Sequence, residues 1–470
     1  MLDSDLDAQV LRPLREGTFK LDCSNILLNG QYHGKPVTFS GPGYVDQSPD
    51  GGFTATIFVK GSLREAPGND GRRRYLPGTL VSSEGVFKLE ATDLRGQKWL
   101  AENIWRPTPN GCVLGDGYVV RACCHELMLQ GLVPTGDIAG CQVELFIGGA
   151  VELPLTPSGG KEIALQEWVE DDAHSPHVVN LRAEAFQACE FGFEIFNHAG
   201  WFRARAKSSA VAPPHLASRI WEALHFTLGA PEPWSVATIF NGEKSQLFLH
   251  SPRQHPCDSG QWPPYLIKFS PPIENFWQFF RLYLEYTLRE KERPFHPLSG
   301  QVLAVSQSGG ASLEAQTLTL VVAVEAILIR FYPEVAIPSP AHTSSVNDLI
   351  EHINSWCGDD NIRQRAIGAV SARSNARAGD RLKSLAQRGV VSGRNTAAWK
   401  KLRNQAAHGD WSTLHEDLQG HLDRMGSVRT LFYQLIFHLI GYSGHQTDYG
   451  THGYRPVQYP PKEIGNERTT

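Results

Sequence analysis

Leu313-Glu-Ala-Gln-Thr-Leu-Thr-Leu-Val-Val-Ala-Val-Glu325-Ala-Ile-Leu-Ile-Arg-Phe331 is the stretch on which the architecture turns. It is apolar, carries no Gly or Pro and is long, so it reads as a helix that opens a helical half. Glu325 stands alone inside the run Leu-Val-Val-Ala-Val-Glu-Ala-Ile-Leu-Ile. A buried lone carboxylate is costly, so it should meet a cation, with Arg403 the candidate; the other reading is that Glu325 sits at the helix edge.

Downstream, helices are predicted at Val346 to Trp356, Ile362 to Ala372, Ala376 to Gln387, Thr396 to Ala407 and Leu414 to Leu439. The last is strongly apolar from Leu431 to Ile440. Together they predict an all-α bundle over 310–445 with a dimer face. The segment 446–470, rich in Tyr, Gly and Pro around Asp448 to Pro461, is expected to be an irregular tail that frays after Glu463.

Upstream the pattern changes. To about Lys207, short apolar runs alternate with Gly, Pro, Asn and Asp breaks: Ile26-Leu-Leu, Phe53 to Val59, Tyr118-Val-Val, Gln142 to Ile147 and Phe191 to Phe196. β-branched and aromatic strings at such intervals predict a β-rich region over 1–212, a sandwich or bent antiparallel sheet. An α/β continuation is expected over 213–300. It comprises an amphipathic helix from His215 to Leu228, strands around Trp234 to Leu249 and Tyr265 to Phe269, and a helix from Ile273 to Glu292. The aromatic stripe Phe276, Phe279, Phe280 and Tyr283 reads as core. The fold class is therefore α+β, multidomain.

Within the predicted bundle, Trp399-Lys-Lys-Leu-Arg403-Asn404-Gln-Ala-Ala-His408-Gly409-Asp410 groups an arginine, an asparagine and a histidine before a glycine. A histidine near neutral pH can move the proton of a ribose 2′-hydroxyl, and an arginine is a permanent cation shaped for phosphate oxygens. Asn404, four before His408, stacks on the same helix face and can orient the imidazole by a hydrogen bond. Arg403, five before, is rotated off that line, so two copies about a two-fold axis would complete a cleft that one helix leaves open. Gly409 ends the helix in a left-handed turn, placing His408 at its carbonyl end, which favours a cation.

Chance supplies Arg–His pairs at similar spacing, and two decoys exist: Arg219 with His225, and Arg289 with His296, the latter interrupted by Pro294. Charge separates them. Arg363, Arg365, Arg373, Arg377, Arg381, Lys383, Arg388, Arg394, Lys400 and Lys401 lead into Arg403, opposed only by Asp380, in a chain of net charge -5. Eleven cations against one acid make a local surface suited to a polyanion. Arg373, Arg377, Arg381, Lys383, Arg394, Lys400 and Lys401 are the expected RNA contacts. Another basic stretch, Asn69 to Arg74, reads as a solvated turn.

No window reaches the roughly 18 apolar residues that span a bilayer. The acidic start Met1-Leu-Asp-Ser-Asp-Leu-Asp is unlike a signal peptide, so a cytosolic protein is expected. The eight cysteines, Cys23, Cys112, Cys123, Cys124, Cys141, Cys189, Cys257 and Cys357, include no C-x2-C pair. Neither a metal nor another cofactor is expected; Cys123-Cys124-His125-Glu126 reads as strand, with neighbouring side chains on opposite faces.

The long helix with its embedded Glu325, Leu-Arg403-Asn404-x3-His408-Gly409, and an apolar terminal helix running into Leu439-Ile-Gly-Tyr-Ser-Gly444 and Asp448-Tyr449 resemble the HEPN superfamily of ribonuclease domains. The resemblance is specific over about 310–455, to the branch found in ApeA-like bacterial anti-phage proteins; over 17–300 it rests on overall layout. It implies a metal-independent endoribonuclease that cleaves tRNA or other cellular RNA and halts growth during infection. Arg403 and His408 match the catalytic Arg-x4-6-His motif, Asn404 the polar residue after the Arg, and Glu325 the first-helix acid. It further implies a homodimer or higher homo-oligomer, and control by the β-rich region, with a phage-derived trigger protein as partner. Two other readings stand beside it: a non-catalytic RNA-binding or adaptor protein, and a carbohydrate or peptide binder whose helices only dimerise.

Overall fold

A computed structural model describes residues 6–32, 35–48, 52–62, 86–111, 117–131, 140–148, 160–167, 177–198, 201–229, 234–242, 244–250, 263–264, 273–371, 376–409 and 417–461. The architecture is α+β, in two compact units: Met1–Trp221 with Glu232–Pro256, and Glu222–Pro231 with Cys257–Thr470.

The first unit holds one antiparallel 14-stranded sheet. In chain order its strands are β1 (Lys20–Tyr32), β2 (Lys35–Gln47), β3 (Phe53–Lys60), β4 (Val86–Asp93), β5 (Lys98–Gly111), β6 (Gly117–Cys124) and β7 (Glu126–Gln130). There follow β8 (Cys141–Gly148), β9 (Gly160–Glu167), β10 (His177–Ala188), β11 (Phe191–His198), β12 (Trp201–Ser208), β13 (Trp234–Asn241) and β14 (Lys244–His250). A short helix, α1 (Arg12–Glu16), precedes them.

The strand order begins β4-β1-β2-β3-β6-β5, and β4 also pairs with β5, so these six strands close on themselves. The bent sheet expected from the sequence is therefore a barrel at one end, with Ile26, Leu28, Val45, Phe53, Ile57 and Val120 filling it. Closure removes unpaired edges. The remainder, β7-β14-β13-β8-β12-β11-β10-β9, is open. The strands expected in the continuation, β13 and β14, lie in the middle of this sheet, between β7 and β8. Val236, Ala237, Leu247 and Leu249 are buried, and paired neighbours satisfy their backbone groups on both edges.

The second unit is helical: the end of α2 (Leu216–Leu228), then α3 (Ile273–Thr287), α4 (Pro297–Gln307), α5 (Leu313–Phe331), α6 (Pro340–Asn354), α7 (Asp360–Ser371), α8 (Ala378–Gln387), α9 (Gly393–His408) and α10 (Leu418–Ile440). The residues after 256, including α3 and α4, thus join the helices and not the sheet. Helix α5 has the bounds its sequence predicts. Helix α6 begins earlier than its apolar periodicity does, because the Ser339 side chain accepts a hydrogen bond from His342 N and starts it.

Helix α10 is the core of this unit, buried almost continuously from Met425 to Phe437. Helix α5 runs in the same direction beside it: Thr317 Oγ1 lies 2.9 Å from His421 Nε2 near both starts, and Tyr332 OH donates to Leu435 O at 2.6 Å near both ends. The α3 aromatic stripe is core as expected, with Phe279 stacked on Phe437 at 5.2 Å.

The tail departs from expectation. β15 (Gly444–Thr447) and β16 (Pro456–Tyr459) form a hairpin, and residues 448–450 cross α10 at Gly426, where a Cβ would lie 2.0 Å from Tyr449 O. Tyr449 N donates to Thr430 Oγ1 at 3.0 Å, and Tyr459 OH to Gln434 O at 3.1 Å. Buried tyrosines that need acceptors anchor what composition alone reads as irregular. The expected strand at Tyr265 to Phe269, the Asn69 to Arg74 turn, Cys112, Cys257 and the residues after 461 lie outside the described residues.

Burial holds the His225 imidazole down to about 4. His421 and His438 are lowered too, by burial first and by Arg424 and Arg388 respectively. A histidine depressed in the fold gives its full stability above its ordinary value near 6.5 and loses it as pH falls toward the folded value. Stability of the helical unit against denaturant should therefore fall between pH 6.5 and 4, by roughly 3 kcal/mol from His225 alone. His225→Gln should flatten that slope.

Candidate functional site

Helix α9 is fixed by its apolar face. Trp399 and Leu402 are buried, and Trp399 Nε1 donates to Val321 O of α5 at 3.2 Å. At its start, Ser392 N and Asn395 Nδ2 donate to Gln434 Oε1 of α10 at 3.2 and 3.4 Å. With that face committed, Lys400, Lys401, Arg403, Asn404 and His408 are exposed. Gly409, at φ 63°, ends the helix as its sequence predicts.

Arg403 meets the predicted acid: its Nε is 3.5 Å from Glu325 Oε2. Of the two positions open to Glu325, it takes the helix edge. The Glu325 and Arg403 side chains are 32% and 48% exposed, so the contact is a surface pair worth at most about 1 kcal/mol. Among the described residues the two terminal nitrogens of that guanidinium have no partner, and they form the fork that suits phosphate oxygens.

Asn404 and His408 do stack four apart, but no hydrogen bond joins them among the described residues; both side chains face solvent at a helix end. Arg403 and His408 are about 140° apart around the helix and about 7.5 Å apart along it. One helix does not bring both onto a single phosphodiester.

The remaining expected RNA contacts divide. Arg377, Lys383, Lys400 and Lys401 are exposed. Arg381 is turned to the fold: its Nη1 donates to Leu328 O of α5 at 3.1 Å. Arg394 ties the tail to α10, with Nη2 3.4 Å from both Ser427 Oγ and Asp448 Oδ1. Arg373 lies outside the described residues. Sequence shows where cations are but not which carbonyl or carboxylate claims them.

Both decoys drop out as solvent-facing sites. Arg219 and His225 are buried, and His296 is a buried cap whose Nδ1 accepts from Leu298 N at 3.1 Å, starting α4. Cys123 is exposed while Cys124 is buried, its thiol pushed up to about 12, as the strand reading of that pair requires.

One feature escaped the sequence reading. On α5, Leu318, Val322, Glu325 and Ile329 recur at helical spacing and form one stripe facing solvent, with the three apolar members 49%, 54% and 54% exposed. The signal was present in a helix apolar on every side, which implies a cover on every side.

Among the described residues no helix is long and apolar enough to cross a membrane, and no three His, Cys, Asp or Glu side chains come together as a metal-binding group. No family model, curated protein or solved structure matches the chain.

Arg394→Ala should lower stability by about 1 kcal/mol, since the half-exposed pair with Asp448 and the contact with Ser427 are lost. Lys400→Ala and Lys401→Ala should stay within about 0.5 kcal/mol. Thermal melts of the three variants check the division into structural and free cations.

Proposed function

We propose that the helical unit is a metal-independent endoribonuclease acting at Arg403 and His408. The observation that carries the reading is that both side chains stand exposed on the C-terminal half of α9, beside Lys400 and Lys401, with Glu325 3.5 Å from the Arg403 Nε. The resemblance to HEPN ribonucleases supplies the reaction class and the context: cleavage of tRNA or other cellular RNA that arrests growth during phage infection, under control of the β-rich unit and a phage-derived trigger.

In this mechanism the His408 imidazole takes the proton of a ribose 2′-hydroxyl, and the 2′-oxygen attacks the adjacent phosphorus. The bond from phosphorus to the 5′-oxygen breaks, and a protonated imidazole returns a proton to that leaving oxygen. Arg403 neutralises the charge that grows on the phosphorane oxygens. Glu325 is a positioning residue, and Asn404 supplies a polar neighbour. The products are a 2′,3′-cyclic phosphate and a 5′-hydroxyl.

Because Arg403 and His408 diverge around α9, the reading calls for a second copy of the chain. The α5 stripe supports this: apolar side chains flank Glu325 directly, so a two-fold contact there brings the Arg403 of each copy toward the seam. The alternative, a non-catalytic RNA-binding or adaptor protein, draws on the missing hydrogen bond between Asn404 and His408.

Purified protein incubated with total tRNA in excess EDTA should generate new ends bearing 2′,3′-cyclic phosphate. His408→Ala should lower that rate at least about 100-fold while RNA affinity stays near wild type. Cleavage abolished by EDTA, or unchanged in His408→Ala, rejects the mechanism.

Val322→Glu should remove the contact through the α5 stripe, seen as a lower molar mass by light scattering, and remove cleavage with it, since the stripe then carries a second carboxylate that no cation matches.

A further inference from the structure

Helices α6 and α7 form an antiparallel hairpin that packs chiefly on itself. Val346 is the only buried residue of α6, and α7 has none. Two short helices with so small a shared core are marginal alone.

Their outward residues are not uniformly polar. With successive residues about 100° apart, Leu349 of α6 and Ile362, Ala366 and Ala369 of α7 fall on one side of the hairpin, together with Ser345 and His352 of α6. Asn347, Glu351, Asn361 and Gln364 fall on the other. Leu349 and Ile362 are 46% and 58% exposed. That side carries no carboxylate, lysine or arginine at its centre, and the alanines of α7 permit close helix approach.

The two flanks of that side carry opposite charges. Asp348 lies on the outer flank of α6 and Arg365 on the outer flank of α7, both exposed. Asp348 is six residues before Asn354, where α6 ends, and Arg365 is five residues after Asp360, where α7 begins. Counted from the turn, they lie at nearly the same depth along their helices, six residues and five.

We infer that this face docks on the same face of a second copy, making an intermolecular four-helix bundle. Rotation about a two-fold axis parallel to the helices sets each α6 over the other copy's α7, antiparallel to it. That operation brings Asp348 of each chain beside Arg365 of the other, twice, in the flanking positions where charge selects partners in helix bundles. A face with like charges on both flanks would repel its own copy; this one matches it. The contact is separate from the α5 stripe and does not depend on RNA cleavage.

The test is molar mass against concentration for the full chain. Asp348→Arg sets arginine against arginine at two points and should raise the concentration for half-dissociation roughly tenfold. Arg365→Asp should do the same, and both reversals in one chain should restore the wild-type value, which no folding defect would do. Leu349→Glu with Ile362→Glu, both at exposed positions, should abolish the step with helix content unchanged by circular dichroism. A mass unchanged by Asp348→Arg, or a double reversal that fails to restore association, overturns the inference. Val322→Glu acts at the other surface, so the two contacts are read apart.

Discussion

The burial of α10 is the constraint on which the helical unit depends. Its run from Met425 to Phe437 has almost no solvent-facing residue, so every neighbour is placed by what that helix needs covered. Helix α3 brings Phe279 to Phe437, and α5 closes hydrogen bonds near both ends. The tail crosses at Gly426 because only a glycine lets a backbone carbonyl come that close. Apolar area removed from water drives this, and the polar contacts fix register.

The candidate site follows from that packing. Helix α9 spends one face on α5 and α10 through Trp399, Leu402 and Asn395, and the face left over is the basic one. A charge run in sequence overstates the surface it makes. Arg381 and Arg394 serve the fold, while Arg377, Lys383, Lys400, Lys401 and Arg403 remain for an anion. The Glu325 pair is small in energy at the surface, and among the described residues it leaves the two terminal nitrogens of one guanidinium without a partner.

Two surfaces of this unit expose apolar side chains, and they differ in kind. The α5 stripe has a carboxylate at its centre, already matched by Arg403 of the same chain, so a covering partner meets a neutralised pair. The hairpin face has its charges at the rim, where they specify orientation rather than oppose burial. Charge placed centrally disfavours burial unless compensated, whereas charge at a flank selects among partners.

Much of the local structure was legible in the sequence. The strand strings, the span of α5, the buried aromatic stripe of α3 and the glycine stop after His408 rest on side-chain periodicity and on backbone preferences of single residues, which act over a few positions. Tertiary structure alone decided that β4 closes onto β5, that β13 and β14 enter the middle of the sheet, that the tail pairs as a hairpin, and that Glu325 lies at the surface. It also decided which arginines are free. Those outcomes depend on partners tens to hundreds of residues away, and a periodicity states that a face must be buried without stating against what.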